Sequence, residues 1–204
     1  MIPSHHPHPE TLISYASGTL PSAVACVVAC HLSMCTECAA NVRWLERLGG
    51  VLLSNLPTDD AEPTLTERTV ARSCAQPQPG ESSRKPRPKV EDLLLPRPLA
   101  RYLDTNEEDT SWEPVGSDIQ ERSIELPQDS GSIKLRRLSP GQRLPEPDVT
   151  LETEVALVLQ GACCDSAGTY VRGDIIERSE DPPHPALASG EAGCICLIAD
   201  QATG

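Results

Sequence analysis

Phenylalanine is absent from this chain, and aromatic residues make up only 2 % of its 204 positions. Its cores must therefore be assembled from Leu, Val, Ile and Ala, and they should be small. Basic charge is also short: 17 Lys and Arg stand against 30 Asp and Glu, a formal net charge of -13. A non-specific nucleic-acid binder needs a basic footprint, so the charge argues against that class, and no direct nucleic-acid contact is expected. A basic partner suits this charge instead. No apolar run approaches the ~20 residues that span a bilayer; the longest, Ala23 to Ala29, falls far short. The first residues have neither the basic region nor the apolar stretch of a secretory signal. No internal repeat is visible. These absences lead us to expect a cytoplasmic protein with reduced thiols and no membrane contact.

The chain is rich in cysteine and proline, with 9 and 20 respectively. The prolines imply long irregular segments. Four of the cysteines, Cys26, Cys30, Cys35 and Cys38, crowd around His31. The stretch from His31 to Cys38 reads H-x3-C-x2-C, a spacing that suits one tetrahedral zinc. His31 and Cys35 lie about one helical turn apart, so both can face one ion if His31 ends a helix. The pair Cys35 and Cys38 has the usual knuckle spacing of two thiolates on one metal. His5, His6 and His8 offer a fourth ligand from upstream.

Along the chain, Pro9 and Glu10 open a first helix with Leu12, Ile13, Ala16 and Leu20 at helical spacing, broken by Gly18 and Pro21. A second helix runs from Ser22 to His31 with Val24, Val27, Val28 and Leu32 as its buried stripe. A third starts near Cys35, runs through Val42, Leu45 and Leu48, and extends toward Leu53. Such a unit is too small to bury much core alone; a zinc tying the N-terminal arm to the corner between helices 2 and 3 would add folding free energy. Thr64 to Ala75 forms a short amphipathic helix. A Pro- and Ser-rich linker follows, over 76–92. Beyond an apolar bridge at 93–103 and an acidic stretch from Asp104 to Asp109, the pattern turns to short strands. Ile124, Leu126, Ile133, Leu135 and Leu138 alternate with polar positions, Val155 to Leu159 is fully apolar, and Tyr170 to Ile176 and Gly193 to Ala199 are two more strands. The expected domains are 1–75, a zinc-pinned helical bundle, and 93–204, a β-sandwich or jelly roll.

The two halves resemble known modules. His5-His6, Leu12, Tyr15-Ala16, Gly18-Thr19-Leu20, Val27-Val28-Ala29, His31-Leu32-Ser33, Cys35 and Cys38 resemble the zinc-binding anti-sigma domain of the ChrR-type regulators. In that family the fourth ligand is an early histidine, and the offset from Tyr15 places it at His6. Gly141, Pro145-Glu146, Glu154, Leu157-Val158-Leu159, Gly161, Asp165, Gly168, Tyr170, Arg172-Gly173-Asp174, His184 and Gly193-Cys194-Ile195-Cys196-Leu197 resemble the cupin of the same regulators. The resemblance implies a structural zinc on His6, His31, Cys35 and Cys38. It also implies an extracytoplasmic-function sigma factor as partner, held by the helical domain and released on oxidative stress.

The cupin departs from its pattern. Its H-x-H pair is missing: depending on register, the places hold Pro147 and Val149 or Asp148 and Thr150. What remains is a degraded second set, Asp148, Glu154 and His184. Two other readings stand beside the first: a metal-dependent cupin enzyme of dioxygenase or isomerase type, and a zinc-stabilised binding protein for another partner. An enzyme needs an open metal with good ligands, which the missing pair argues against. Cys26 and Cys30 read as buried packing residues. Alternation puts Cys194 and Cys196 on one face of their strand and points Cys163 and Cys164 opposite ways.

Overall fold

The computed structural model describes residues 3–57, 63–75, 89–90, 93–99, 112–124, 126, 132–145, 151–178 and 186–202. Four helices come first: α1 (Pro9–Ser17), α2 (Ser22–Leu32), α3 (Thr36–Ser54) and α4 (Pro63–Ala75). Proline stands in the first turn of α1, where its missing N–H costs nothing. The helix ends on Gly18 at φ 73°, with Gly18 N–H donating to the Tyr15 carbonyl and Thr19 N–H to that of Ser14. That double closure needs a left-handed residue, and glycine takes it without strain. α2 is apolar nearly all round. Its Ala23, Val24, Val27, Val28, Cys30 and His31 are all buried, as befits a helix enclosed by its own protein.

The strands are β1 (Lys89–Val90), β2 (Leu93–Leu94), β3 (Glu113–Gly116), β4 (Ile119–Ile124), β5 (Ser132–Leu138), β6 (Leu151–Cys164), β7 (Thr169–Val171), β8 (Ile175–Arg178) and β9 (Leu187–Ala202). β1 and β2 make a two-stranded ribbon; the others form one antiparallel sheet in the order β3-β4-β5-β9-β6-β7, with β8 also on β6. Both faces are apolar. One carries Leu135, Val155, Leu157, Leu159 and Leu197, which pack with the valines of α2. The other encloses Leu138, Ala156, Val158, Ile176, Ile198 and three cysteines. A helical N-terminal region followed by an antiparallel sheet is the expected order of elements.

Two strands differ from expectation. The apolar strand at Val155–Leu159 continues to Cys164 through a register shift beside Gly161. There Gly161 adopts φ 74°, and a Cβ on it would overlap the Gly193 carbonyl oxygen. The shift also reverses which side chains face inward, so Cys163 is buried while Cys164 is only half-buried. Second, Tyr170 to Ile176 is two strands, because Arg172-Gly173-Asp174 turns between β7 and β8. The Asp174 carboxylate accepts the Val171 N–H at 2.8 Å and Gly173 N–H donates to the Val158 carbonyl, which closes the turn.

Compactness divides the chain elsewhere than at 75 and 93. One unit joins Met1–Glu46 with Arg87–Gly204; the other is Arg47–Pro86. In the first, α2 lies against β6 and β9. The second holds α4 and the last turns of α3, and among its described residues no side chain is buried. Its Leu48, Val51, Leu52, Leu53, Leu56, Leu65 and Val70 are 44–69 % exposed. Among the described residues no single helix is long and apolar enough to cross a membrane; α1 and α2 together reach that length but bend by 110°.

Candidate metal centre

The end of α2, the start of α3 and the N-terminal arm bring four side chains together. One ligand-capable atom from each of His6, His31, Cys35 and Cys38 lies within 4.8 Å of the others. The chain turns sharply between the helices, with the His31 carbonyl accepting both Met34 N–H and Cys35 N–H at 2.8 Å. This places Cys35 and Cys38 against His31. Cys38 N–H then points at Cys35 Sγ at 3.4 Å, the contact that steadies a thiolate in a metal knuckle.

The chemistry of each nitrogen is set by its partner. His31 is fully buried, and its Nδ1 donates to the Gly173 carbonyl at 2.7 Å. A carbonyl can only accept, so Nδ1 holds the proton and Nε2 presents a lone pair. That Nε2 is buried with no hydrogen-bond partner. An orphaned, aimed lone pair beside two thiols is what a metal would satisfy. Burial lowers the pKa of His31, and the nearby His6 adds to the effect, so the ring stays neutral as ligation requires. His6 offers Nδ1, which lies 3.5 Å from Cys35 Sγ and 3.3 Å from Cys38 Sγ. Its other nitrogen looks toward Glu37 at 3.9 Å. Without a cation Cys38 is held protonated: burial, Cys35 and Glu37 push its thiol up to about 12. A bound divalent ion reverses that balance.

His5 and His8 point elsewhere. His8 lies 3.9 Å from Glu10 at the surface. His5 clamps the arm to the sheet. The buried Asp174 accepts Ser4 N–H at 2.7 Å and His5 N–H at 3.1 Å, and its other oxygen faces His5 Nδ1 at 3.3 Å. In return the His5 carbonyl accepts Ile175 N–H. Burial works to raise the pKa of Asp174, but N–H donors from Val171, His5 and Ser4 outweigh it and hold it below the ordinary carboxylate value. The β7–β8 turn thus orients two of the four metal-facing residues, His31 through Gly173 and His6 through its neighbours Ser4 and His5. Sequence reasoning matched Arg172-Gly173-Asp174 to a family without reading this role. The signal was there only as an acid in a turn, which has many other uses.

Of the second set, Glu154 is buried on β6, paired in register with Arg178 and Asp200. Asp148 and His184 lie outside the described residues. Beside the metal centre, Pro9, Leu12, Ile13, Asn41, Trp44 and Leu45 line an open apolar groove of about 490 Å³. Trp44 is 62 % exposed there.

No family model matches the chain. It is 34 % identical over 200 residues to the anti-sigma-E factor ChrR of Cereibacter sphaeroides, covering 97 % of this chain and 90 % of that protein. Among solved structures, it resembles a chain in the crystal structure of Rhodobacter sphaeroides SigE in complex with the anti-sigma ChrR. That match has a TM-score of 0.75 and 29 % identity, over 97 % of this chain and 98 % of that one. The structure of KdgF from Halomonas sp. aligns with 46 % of this chain at 16 % identity and a TM-score of 0.37.

Proposed function

The chain belongs to the family of the anti-sigma-E factor ChrR, and on that footing we propose that it sequesters an extracytoplasmic-function sigma factor. The observation that carries this reading is a match over nearly the whole length, joined to the gathering of His6, His31, Cys35 and Cys38. We assign the ion as zinc, since two imidazoles and two thiolates complete a tetrahedron. Four protein ligands leave no open position, so its role is to fix structure rather than to activate water. Bound there, it ties the arm to the α2–α3 corner. We assign no catalytic residue, no direct nucleic-acid contact and no membrane contact, and place the action in the cytoplasm.

The gripping surfaces are apolar and exposed. The groove around Trp44 is one, and the uncovered leucines of Arg47–Pro86 are another. A unit whose described side chains are all exposed gains its core from a partner. An acidic chain also steers toward a basic sigma surface. For function we keep the partition into 1–75 as the binding module, 76–92 as linker and 93–204 as the cupin-like module that promotes release under oxidative stress.

Co-expression with candidate sigma factors, pull-down and zinc determination test this. We expect a stable one-to-one complex, one zinc on the His31 centre, and loss of both in a His31→Ala, Cys35→Ala variant. A variant that still binds its sigma factor and retains its zinc would refute the central claim.

A further inference from the structure

A second group of ligand-capable side chains lies inside the sheet and shares no residue with the first. Cys163 on β6 and Cys194 and Cys196 on β9 bring their three sulfurs within 4.8 Å of one another. Cys163 Sγ is 2.7 Å from Cys194 Sγ and 3.8 Å from Cys196 Sγ, and the third side, Cys194 to Cys196, is 3.8 Å. All three residues are at most 2 % exposed, among Leu138, Ala156, Val158, Tyr170 and Ile198. Their convergence is built by the backbone. Alternation along β9 turns Cys194 and Cys196 the same way, and the register shift at Gly161 turns Cys163 to meet them.

Cysteines that merely fill a core behave as small apolar groups, at contact distances of roughly 3.5–4.0 Å. Here the three sulfurs converge on one point, with Cys196 Sγ 3.8 Å from each of the other two. Three thiolates around one ion, each ~2.3 Å from it, stand about 3.8–4.0 Å apart. Two sides of the triangle already have that length, and the short side opens by ~1 Å on loading, within the reach of small χ1 rotations.

We infer that Cys163, Cys194 and Cys196 form a second metal site, for a thiophilic d10 cation. Zn(II) and Cu(I) share that chemistry. Among the described residues no His, Asp or Glu joins the group as a fourth ligand, which suits Cu(I). Zn(II) leaves the smaller net charge in the apolar surroundings, -1 against -2, which favours zinc. Loading moves three thiol protons to solvent and forms three metal–sulfur bonds, with no change of oxidation state. The site lies on the same face of β6 as Glu154 but does not include it, so the cupin's lost histidines need not mean a lost metal.

The test uses full-length protein with its first centre zinc-loaded, reduced and anaerobic, in a Cys74→Ala background that removes the exposed thiol. Zn(II) and Cu(I) are titrated separately against a chromophoric competitor. We expect the parent to take up one further equivalent of one of the two ions. Cys163→Ala and Cys196→Ala should bind it at least a hundredfold more weakly, while Cys164→Ala leaves it unchanged. The two arms identify the ion. Should an alanine variant fail to fold by circular dichroism, X-ray absorption on the loaded parent decides, at the copper edge or as the difference between two-zinc and one-zinc protein: a newly bound ion whose protein ligands are sulfur alone supports the site, and imidazole nitrogen at that ion overturns it. Equal uptake by parent and variants overturns it, as does loss of zinc from the first centre in step with copper uptake. A Cys163–Cys194 disulfide in the reduced protein, seen as a two-hydrogen mass deficit, also overturns it. None of these outcomes depends on whether a sigma factor binds.

Discussion

At the scale of single residues, Asp174 is the most consequential group that holds no ligand position. Its carboxylate collects backbone donors from the arm and from its own turn, and the same turn fixes the His31 ring. Groups that orient metal ligands typically change affinity 10- to 100-fold when removed. Asp174→Asn should therefore weaken zinc binding by about that factor while leaving all four ligand side chains in place; a competition titration against a zinc chelator reads it. Unchanged affinity would show that the clamp only anchors the arm. The same residue shapes the acid limb. Its folded pKa lies below the ordinary value, so the charged form favours the folded state. That stabilisation is complete above the ordinary carboxylate value of about 3.9 and is lost as pH falls through the folded value. Urea unfolding at a series of pH values should show the parent losing stability below pH ~4 with a steeper slope than Asp174→Asn.

At the scale of elements, the helices were legible because their signals are local. Proline and glycine mark the ends of α1, and a continuous apolar run marks α2. The gathering of His31, Cys35 and Cys38 was equally legible, since they sit within one short motif, whereas the choice of His6 over His5 and His8 came only from the resemblance. The division of Tyr170–Ile176 was not, because nothing in that run spells out that Asp174 will find donors 170 residues away. Nor was the extension of β6, where a glycine reads as a strand end unless its neighbour on β9 is known. Gly161→Ala should destabilise the fold by more than 1 kcal/mol, since it adds left-handed strain to an overlap with the Gly193 carbonyl. Leu157→Ala, at a fully buried position on the same strand, should cost about 2–5 kcal/mol by opening a cavity. Thermal unfolding checks both. On α3 the expectation reverses: Trp44→Ala removes an exposed side chain and should leave the melting temperature within a degree or two, while weakening sigma-factor binding by about 2 kcal/mol or more, as loss of an interface anchor does.

At the scale of the whole molecule, the metal centre joins more of the chain than its four ligands suggest. His6 comes from the arm, His31 from α2, and Cys35 and Cys38 from the entrance to α3. The arm and the His31 ring both continue into the β7–β8 turn. The compact unit formed by residues 1–46 and 87–204 thus has its proposed metal centre at the place where helices meet sheet. An ion that binds the folded form alone stabilises it by mass action, about 2.7 kcal/mol at a hundredfold excess over the dissociation constant. Chelation should therefore lower the melting temperature of the entire unit, in one transition, and the midpoint should rise again with added zinc. If the helices melted first and the sheet later at its original temperature, the hydrogen bonds through Gly173 and Asp174 would not couple the two. A cupin-like sheet could then not influence the helices through this contact. A single metal-dependent transition would mean that strain in the sheet reaches the metal-bearing corner directly, which is the physical requirement for a sheet that governs what the helices hold.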